Sequence, residues 1–235
     1  MLDRDNVEIS NRFRPSDYTA ALIQCLLADQ RQAKWARVLE VGCGSGVLLS
    51  AAGAAGAAQL TGVDIEADAV AATTRLLDHN GHAAISDIHE GEMFAPVRNR
   101  RFDLVLANLP HFPMNPAAID GRLPSWSAGG ADGRKLLDSF LDNLSPHLAS
   151  GGRALVAHNV FIGLDTTKVK AAKLGLSVRV IDSLFVPLPQ EKLAVMTPDI
   201  LKRETGHSIH RFGCYAFGEV AVLSLAHASS PGDYT

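Results

Sequence analysis

The amino-acid sequence predicts an α/β fold built on a doubly wound, mostly parallel sheet of seven strands. Short apolar runs alternate along the chain with stretches in which apolar residues recur at helical spacing. The first apolar run breaks into a glycine-rich segment, residues 42–46, as a strand does before a helix in an α/β unit. Strands separated by helices of this length pair in parallel through β-α-β crossovers.

The predicted elements follow one another in a simple order. Residues 1–35 form an N-terminal segment with a helix within 15–33, and further helices follow the first, second, fourth and fifth strands. The strands are predicted at 37–41, 59–65, a region that ends at about Glu90, 102–107, 153–157, 176–181 and 220–225. Residues 187–217 are expected to form a long, irregular insertion before the last strand, either surface trimming or a lid.

Composition places the chain among ordinary globular proteins. The 235 residues are expected to form one domain, 1–235, because no linker divides them. The net charge of −3 gives no support for a nucleic-acid partner. Three widely spaced cysteines match neither a disulfide framework nor a zinc site, and the start of the chain is charged. We therefore expect a cytoplasmic protein without a membrane span or a metal, and the sequence predicts no particular oligomeric state.

The segment after the first strand has an acid two residues before its first glycine. Glycines follow at every second position, Gly42, Gly44 and Gly46. Glycine allows a sharp turn and lets a ligand approach the main chain. In the dinucleotide fingerprint the third glycine lies five residues after the first, whereas Gly46 lies four after Gly42. This spacing disfavours NAD, and Glu40 suits a cofactor with an ammonium and a sulfonium group, S-adenosylmethionine (SAM).

Two more acids stand where strands are predicted to end. Asp64 closes the second strand, where a carboxylate can accept both ribose hydroxyls or, alternatively, cap the next helix. After the third strand, Glu92 is the expected contact near the adenine, and Glu90 is expected to be solvated. Ile65 and Met93 are included in the predicted cofactor site. Three acids at the carboxyl edge of one parallel sheet make SAM the favoured cofactor and S-adenosylhomocysteine its product.

The fourth strand ends in Asn-Leu-Pro-His-Phe, residues 108–112, and with this segment the chain resembles class I SAM-dependent methyltransferases. That family uses an Asn-x-Pro-aromatic signature to methylate planar or exocyclic nitrogen. Residues 14–19, with Pro-x-x-x-Thr spacing that ends at Thr19, and the glycine-rich residues 126–134 resemble HemK/PrmC-like protein glutamine methyltransferases. The resemblance covers residues 14–157 and implies a Rossmann-like enzyme that requires no metal and includes Thr19 among its cofactor contacts.

The resemblance also implies how this segment orients a methyl acceptor. The side-chain oxygen of Asn108, itself a cofactor contact, and the backbone carbonyl of Leu109 would accept the two N–H bonds of the acceptor. Pro110 would stiffen the turn that aims them. Further candidates for contact with the acceptor are Phe112, Trp126 and His158.

Two departures from the family pattern bear on the acceptor. Leu109 replaces a second proline, at little cost because the backbone carbonyl does the work, and His111 replaces tyrosine, phenylalanine or tryptophan. Histidine can stack on the acceptor, which we expect, or act as a general base. The insertion 187–217 has no counterpart in a compact HemK-type core, and it favours an enclosed small acceptor more than a docked protein.

The sequence therefore predicts methyl transfer from SAM to a nitrogen of a small molecule or of a protein glutamine, with a nucleic-acid base as the alternative acceptor. An NAD(P)-dependent oxidoreductase is opposed by the glycine spacing. A SAM-binding protein without catalysis is opposed by the intact Asn108 and Pro110. His207 and His210 have a spacing that could bind metal on a helix, but no further ligands are near in sequence, so surface or lid histidines are expected.

Overall fold

A computed structural model of the chain describes residues 13–114 and 127–228. The chain divides into two compact units, residues 1–107 and 108–235. Trp126, one of the predicted acceptor contacts, lies outside the described residues. No helix within the described ranges is both long and apolar enough to cross a bilayer.

The first unit is a parallel four-stranded sheet with helices between its strands. The strands, in the spatial order β3-β2-β1-β4, are β1 (Arg37–Val41), β2 (Gln59–Asp64), β3 (Ser86–Glu90) and β4 (Phe102–Ala107). The helices are α1 (Asp17–Ala28), α2 (Val47–Ala54) and α3 (Ala67–His79). β1, β2 and β4 are buried along most of their length, which explains why they read as continuous apolar runs.

The pairing register brings the carboxyl ends of these strands to one edge. Val41 pairs with Val63 and with Ala107, and Asp64 pairs with Glu90. The residues that follow the strands therefore lie along a common edge, where open α/β sheets bind their ligands. Most positions that the sequence assigns to a cofactor site lie on or directly after this edge, whereas Thr19 lies in the N-terminal helix and Glu40 lies inside β1.

The first helix begins with a capping box. The Thr19 amide donates to the Ser16 hydroxyl at 3.5 Å, and the Ser16 amide donates to the Thr19 hydroxyl at 3.2 Å. Asp17 in the first turn adds a charge that favours the helix dipole. The helix is thus fixed at the position that the sequence predicted, and Leu22 and Leu26 are its buried anchors.

The second unit is built on antiparallel strands. These are β5 (Leu148–Asn159), β6 (Leu176–Pro187), β7 (Ile209–Phe212) and β8 (Tyr215–His227). β8 pairs with β5, β6 and β7, and each pairing is antiparallel. The helices are α4 (Lys135–Leu144), α5 (Leu164–Lys173), α6 (Gln190–Val195) and α7 (Pro198–Glu204).

The insertion 187–217 is not irregular, and that part of the prediction was wrong. It contains α6, α7 and β7, and β7 turns into β8 at Gly213, whose φ is +62°. The helices have six and seven residues, too few for an apolar period to show in the sequence. With β7 the described part of the chain has eight strands and not seven. The other strands lie where they were predicted, with β5, β6 and β8 extended at their ends.

Candidate functional site

The glycine loop, residues 42–46, has a left-handed backbone at each of its glycines. The φ angle is +75° at Gly42, +51° at Gly44 and +76° at Gly46, a region that is strained for residues with a Cβ. The Gly42 amide donates to the Val63 carbonyl at 2.8 Å, which fastens the loop to β2. The loop is therefore held tightly between β1 and α2.

Two glycines of the loop have opposite surroundings. A Cβ at Gly46 would lie 2.8 Å from Cγ2 of Thr73, a buried residue of α3. A Cβ at Gly44 would meet nothing within 4 Å. Gly46 is thus required for the packing of the loop on α3, whereas the open space beside Gly44 leaves the main chain accessible to a ligand.

Asp64 is held by backbone amides from both sides of the site. Its Oδ2 accepts a hydrogen bond from the Gly44 amide at 2.9 Å, and its Oδ1 accepts one from the Glu66 amide at 3.0 Å. Each carboxylate oxygen keeps a further lone pair, so it can also accept a ribose hydroxyl. The bond to Glu66 shapes the turn before α3, but the N-cap of that helix is Glu66, so Asp64 is not its cap and its contact with a ribose stays a prediction.

Glu40 lies inside β1 and not at its end. The residue is 3% exposed, and its Oε2 accepts a hydrogen bond from the Leu49 amide, in the first turn of α2, at 3.3 Å. Burial raises the pKa of this carboxyl well above its ordinary value; the bond to Leu49 opposes the shift, and the charge of Asp64 adds to it. Glu40 thus stabilises the start of α2, a role the sequence analysis did not foresee. Its contact with a cofactor cation stays a prediction, as does that of Thr19, which the capping box already uses.

The residues after β2 and β3 add exposed apolar and acidic groups to the edge. Ile65 is 68% exposed, and Glu90 and Glu92 are exposed as well. Met93 has a φ of +50°, unusual for a residue other than glycine. Apolar surface, carboxylates and an accessible main chain are what a purine, a ribose and an amino-acid group need for binding, so the residues at this edge fit SAM.

In the second unit, residues 108–114 form what we call the acceptor strip. The strip runs beside the glycine-rich residues 127–134, which we call the Gly-Gly loop. The Phe112 amide donates to the Ser127 carbonyl at 2.7 Å, and the Phe112 carbonyl accepts from the Gly129 amide at 2.8 Å. Main-chain hydrogen bonds therefore fix the strip. Leu109, His111 and Phe112 are buried, whereas Asn108 and Pro110 are partly exposed.

The glycines of the Gly-Gly loop allow its backbone to touch that of the strip. A Cβ at Gly129 would lie 2.6 Å from the His111 Cα, and one at Gly133 would lie 2.8 Å from the His111 carbonyl oxygen. A larger residue at either position would push the strip away. This contact explains physically why a Gly-Gly-x-x-Gly pattern accompanies the Asn-x-Pro-aromatic segment.

The His111 side chain bonds within the strip itself. Its Nδ1 is bonded to the Leu109 carbonyl, and since a carbonyl only accepts, Nδ1 carries the proton. Burial lowers the pKa of His111 to about 4, although the bond to Leu109 opposes this shift. A ring with so low a pKa is a weak base, which favours packing over general-base catalysis. The Leu109 carbonyl thus already serves His111 and keeps a second lone pair for an acceptor.

A second buried imidazole lies beside the strip. His158 is fully buried in β5, its Nε2 is 2.8 Å from the Thr167 hydroxyl, and its ring centroid is 6.5 Å from that of His111. Burial lowers the pKa of His158 to about 3, and the charge of Arg134 also contributes. The neighbouring Asn159 donates from Nδ2 to the His111 carbonyl at 3.3 Å. His158 was expected directly after the fifth strand, but it belongs to β5, and His158 and Asn159 flank the strip.

The insertion also contacts the strip. The Thr197 amide donates to the Pro113 carbonyl at 2.9 Å, and the Lys192 ammonium lies 5.5 Å from the centre of the Phe112 ring. The Thr197 hydroxyl donates to the Ala131 carbonyl in the Gly-Gly loop. Neither Lys192 nor Thr197 stands out in the sequence, because their partners are more than 60 residues away along the chain.

The histidine pair of the insertion does not lie on a helix. His207 lies in a turn before β7, and His210 lies in β7, where its Nε2 is 3.1 Å from Glu219. The two rings therefore do not have the helical spacing that could bring both of them to one metal ion. Among the residues that the structure describes, no group of three or more His, Cys, Asp or Glu side chains could hold a metal ion.

Known proteins resemble this chain in sequence and in fold. A family model described as ribosomal protein L11 methyltransferase (PrmA) matches residues 18–112. A proposed protein N5-glutamine methyltransferase of Methanocaldococcus jannaschii is 32% identical over 158 residues, which are 65% of this chain and 77% of that protein. The chain belongs to the class I SAM-dependent methyltransferases of the HemK/PrmC-like type. The predicted family and enzyme class are thereby confirmed.

Two further comparisons define how far the similarity extends. The ribosomal RNA small subunit methyltransferase C of Klebsiella pneumoniae is 33% identical over 140 residues, which are 59% of this chain but 36% of that protein. The chain thus spans about a third of this longer relative. The crystal structure of the ribosomal protein L11 methylase of Lactobacillus delbrueckii subsp. bulgaricus aligns with this chain at a TM-score of 0.57 and 17% identity. The alignment covers 91% of this chain and 81% of the methylase chain. It confirms the Rossmann-like α/β fold.

Alanine substitutions should separate the two roles of the glycine loop. Gly46→Ala should lower the free energy of unfolding by about 2–3 kcal/mol, because left-handed strain and the contact with Thr73 both oppose a Cβ. Gly44→Ala should lower it by only ~1 kcal/mol but weaken SAM binding roughly ten-fold, because the new methyl group enters the open space. Urea denaturation and titration calorimetry measure both quantities. Equal losses of stability in the two variants would contradict the assignment.

The buried His111 and His158 should make stability depend on pH. Their pKa values in the folded protein, about 4 for His111 and about 3 for His158, lie below the ~6.5 of an unfolded chain. As the pH falls below ~6.5, the unfolded chain binds protons that the folded chain does not, so stability decreases by about 1.4 kcal/mol per pH unit for each histidine. Urea denaturation at several values between pH 7 and pH 5 should show a smaller slope in His111→Phe. Leu144→Ala, a buried apolar change, should keep the slope of the unsubstituted protein.

Proposed function

We propose that this enzyme transfers the methyl group of SAM to a planar amide nitrogen, with the side chain of a protein glutamine as the acceptor. One observation supports this most directly. Ala107, the residue before Asn108, pairs with Val41, the residue before the glycine loop. The strip with the Asn-x-Pro-aromatic pattern thus begins one residue after a strand end that adjoins the cofactor edge.

The residues of the first unit have the chemistry to bind and orient the cofactor. SAM supplies an electrophilic methyl group on a sulfonium when it is bound. The Asp64 carboxylate, aimed by two backbone amides, would accept the ribose hydroxyls. Ile65, Glu92 and Met93 would contact the adenine, and the accessible main chain at Gly44 would receive the amino-acid portion.

Asn108 would orient the acceptor. An amide nitrogen is a poor nucleophile because its lone pair is delocalised, so the site must draw electron density back onto it. The Asn108 Oδ1 and the free lone pair of the Leu109 carbonyl would each accept one N–H of the acceptor. A nitrogen held in this way would bond to the methyl carbon as the carbon–sulfur bond breaks, and its acidified N–H proton would then leave to solvent. S-adenosylhomocysteine is the second product.

His111 would act as a packing group and not as a base. Its neutral ring keeps the Leu109 carbonyl in a fixed direction through Nδ1, and its low pKa leaves it a weak proton acceptor at neutral pH. An amide that has gained a methyl group loses its proton to water without help. The reaction therefore depends on the orientation of the acceptor nitrogen. The hydrogen bond between His111 and Leu109 helps to fix that orientation.

A protein acceptor is favoured over a nucleic-acid base by charge and by similarity. The net charge of −3 offers no attraction for a phosphate backbone. The relative of which this chain spans 77% has a name that specifies protein glutamine. The ribosomal RNA methyltransferase relative keeps a nucleic-acid base as the second candidate, although this chain spans only 36% of that protein.

The insertion 187–217 would cover the acceptor strip. Its contacts through Lys192 and Thr197 fall on Phe112 and Pro113, directly after His111. Long connections near an active site are more often functional than idle. We therefore assign this insertion to acceptor binding, in keeping with its prediction as a lid.

Asn108 variants assayed with tritiated SAM test both the acceptor class and the strip. With a cell extract separated into protein, RNA and small molecules, label should enter protein as N5-methylglutamine. Asn108→Ala should lower kcat by ~10²-fold, as expected for the loss of one preorganised polar contact, and should change the Kd for SAM little. Asn108→Asp keeps an acceptor oxygen and should retain measurable activity. Label in RNA would contradict a protein acceptor and indicate a nucleic-acid base. A normal kcat in Asn108→Ala would show that Asn108 has no role in the mechanism.

Changes in the insertion should affect turnover and not cofactor binding. Replacing residues 189–207 by a short glycine-serine turn should abolish transfer while SAM binds normally. Lys192→Met removes the ammonium over the Phe112 ring and should lower kcat/KM for the acceptor roughly three- to ten-fold, an effect typical of a cation–π contact. Lys202→Met, an exposed change on α7, is the matched control and should behave as the unsubstituted enzyme. Full activity of the shortened protein would exclude a role for the insertion in the reaction.

A further inference from the structure

The Gly-Gly loop ends in a buried arginine whose guanidinium binds several groups at once. Arg134 is 7% exposed. Its Nη1 donates to the Thr167 hydroxyl at 2.9 Å and to the Ile162 carbonyl at 3.2 Å, and its Nη2 donates to Asp138 at 2.7 Å. These partners belong to three places: α4, the turn before α5, and α5 itself. The arginine therefore joins the end of the Gly-Gly loop to α4 and α5.

The hydrogen bonds continue from this arginine towards the acceptor strip. The Thr167 hydroxyl, which accepts from Arg134, is also bonded to His158 Nε2 at 2.8 Å. His158 precedes Asn159, whose Nδ2 donates to the His111 carbonyl at 3.3 Å. Every member of this path is buried. The strip is thus held from one side by the Gly-Gly loop and from the other by the end of β5, and both supports meet at the guanidinium.

We propose that Arg134 is a positioning residue for methyl transfer, which holds the acceptor strip in place through the Gly-Gly loop and through Thr167, His158 and Asn159. The inference rests on the proposed function for the identity of the strip as the acceptor site. It adds a group that does not touch the acceptor and that the family signature does not include.

A guanidinium suits this position better than any other side chain. It is planar and carries five donors in fixed directions, so it can serve a hydroxyl, a carbonyl and a carboxylate together. A lysine ammonium has a single centre and a flexible stem, so it cannot reach the Thr167 hydroxyl and Asp138 with the same geometry. Asp138 balances the buried charge. The position of the strip consequently depends on the shape of the group as well as on its charge.

The guanidinium also lies next to open space. Arg134 lines a cleft of about 490 Å³ between the Gly-Gly loop, the start of α5 and helix α7. A small soluble guanidinium can enter this cleft when the side chain is shortened. The structure thus permits chemical rescue, which a purely structural loss of packing would not show.

The first test measures kinetics and rescue. Arg134→Ala should lower kcat by ~10- to 10²-fold and change the Kd for SAM little, because the glycine loop, Asp64 and Glu92 lie in the first unit. Millimolar ethylguanidinium should restore kcat several-fold in this variant, and Arg134→Lys should recover less than the added guanidinium does. Arg37→Ala is the matched control, since Arg37 also bonds to an aspartate, Asp103, through two nitrogens at 3.0 Å. That variant should keep its kcat and show no rescue.

The second test does not require the acceptor to be known. The amides of Phe112 and Met114 donate to carbonyls of the Gly-Gly loop, so hydrogen exchange of a peptide over residues 108–114 reports how firmly the strip is held. Exchange should become faster in Arg134→Ala and in Thr167→Val, a change of similar shape that removes the hydroxyl shared by Arg134 and His158. It should stay unchanged in Arg37→Ala.

The two tests have separate meanings. Unchanged exchange over the strip in folded Arg134→Ala and Thr167→Val would overturn the proposal, as would a normal kcat in both variants. Lower kcat without rescue by ethylguanidinium, accompanied by normal exchange, would also overturn it. If the unsubstituted enzyme methylates no glutamine, the proposed function fails, yet the exchange measurement still decides whether Arg134 holds the strip.

Discussion

The parallel pairing of β1 with β2 and β4 determines where the chemical groups of the first unit lie. Val41 stands next to Val63 on one side and Ala107 on the other, so three chain segments leave the sheet at one edge. The glycine loop, Asp64 and the start of the acceptor strip follow directly. A shift in this register by one residue would turn every strand side chain to the opposite face and separate these groups.

Much of the fold was predictable because buried parallel strands and their glycine turn leave a strong pattern in the sequence. The runs at 37–41 and 102–107 are strands with those bounds. The two helices of the insertion were missed because each has fewer than eight residues, and neither shows a full period. Short helices draw their stability from tertiary contacts, here with Phe112 and Pro113, and a local pattern does not contain those contacts.

The candidate site was predictable in position and less so in the roles of its residues. The sequence marks an acid at Glu40, but only the structure shows that a buried strand position turns its carboxyl to the Leu49 amide. His111 could stack or accept a proton on sequence grounds, and burial beside the Leu109 carbonyl distinguishes the two by lowering the pKa. The sequence does not indicate a role for Arg134, because an arginine at the end of a loop is normally solvated. Its partners are brought to it by the packing of α5.

The hydrogen bonds that aim Asp64 have a thermodynamic consequence. The amides of Gly44 and Glu66 hold both carboxylate oxygens through hydrogen bonds within the protein. The left-handed glycines beside it are likewise committed to one conformation, so their large backbone entropy is lost when the chain folds. A ligand that binds such a rigid edge has little conformational freedom left to remove, and more of its contact energy therefore becomes affinity. The entropy cost of ordering this edge therefore belongs to the folding equilibrium and not to the binding equilibrium.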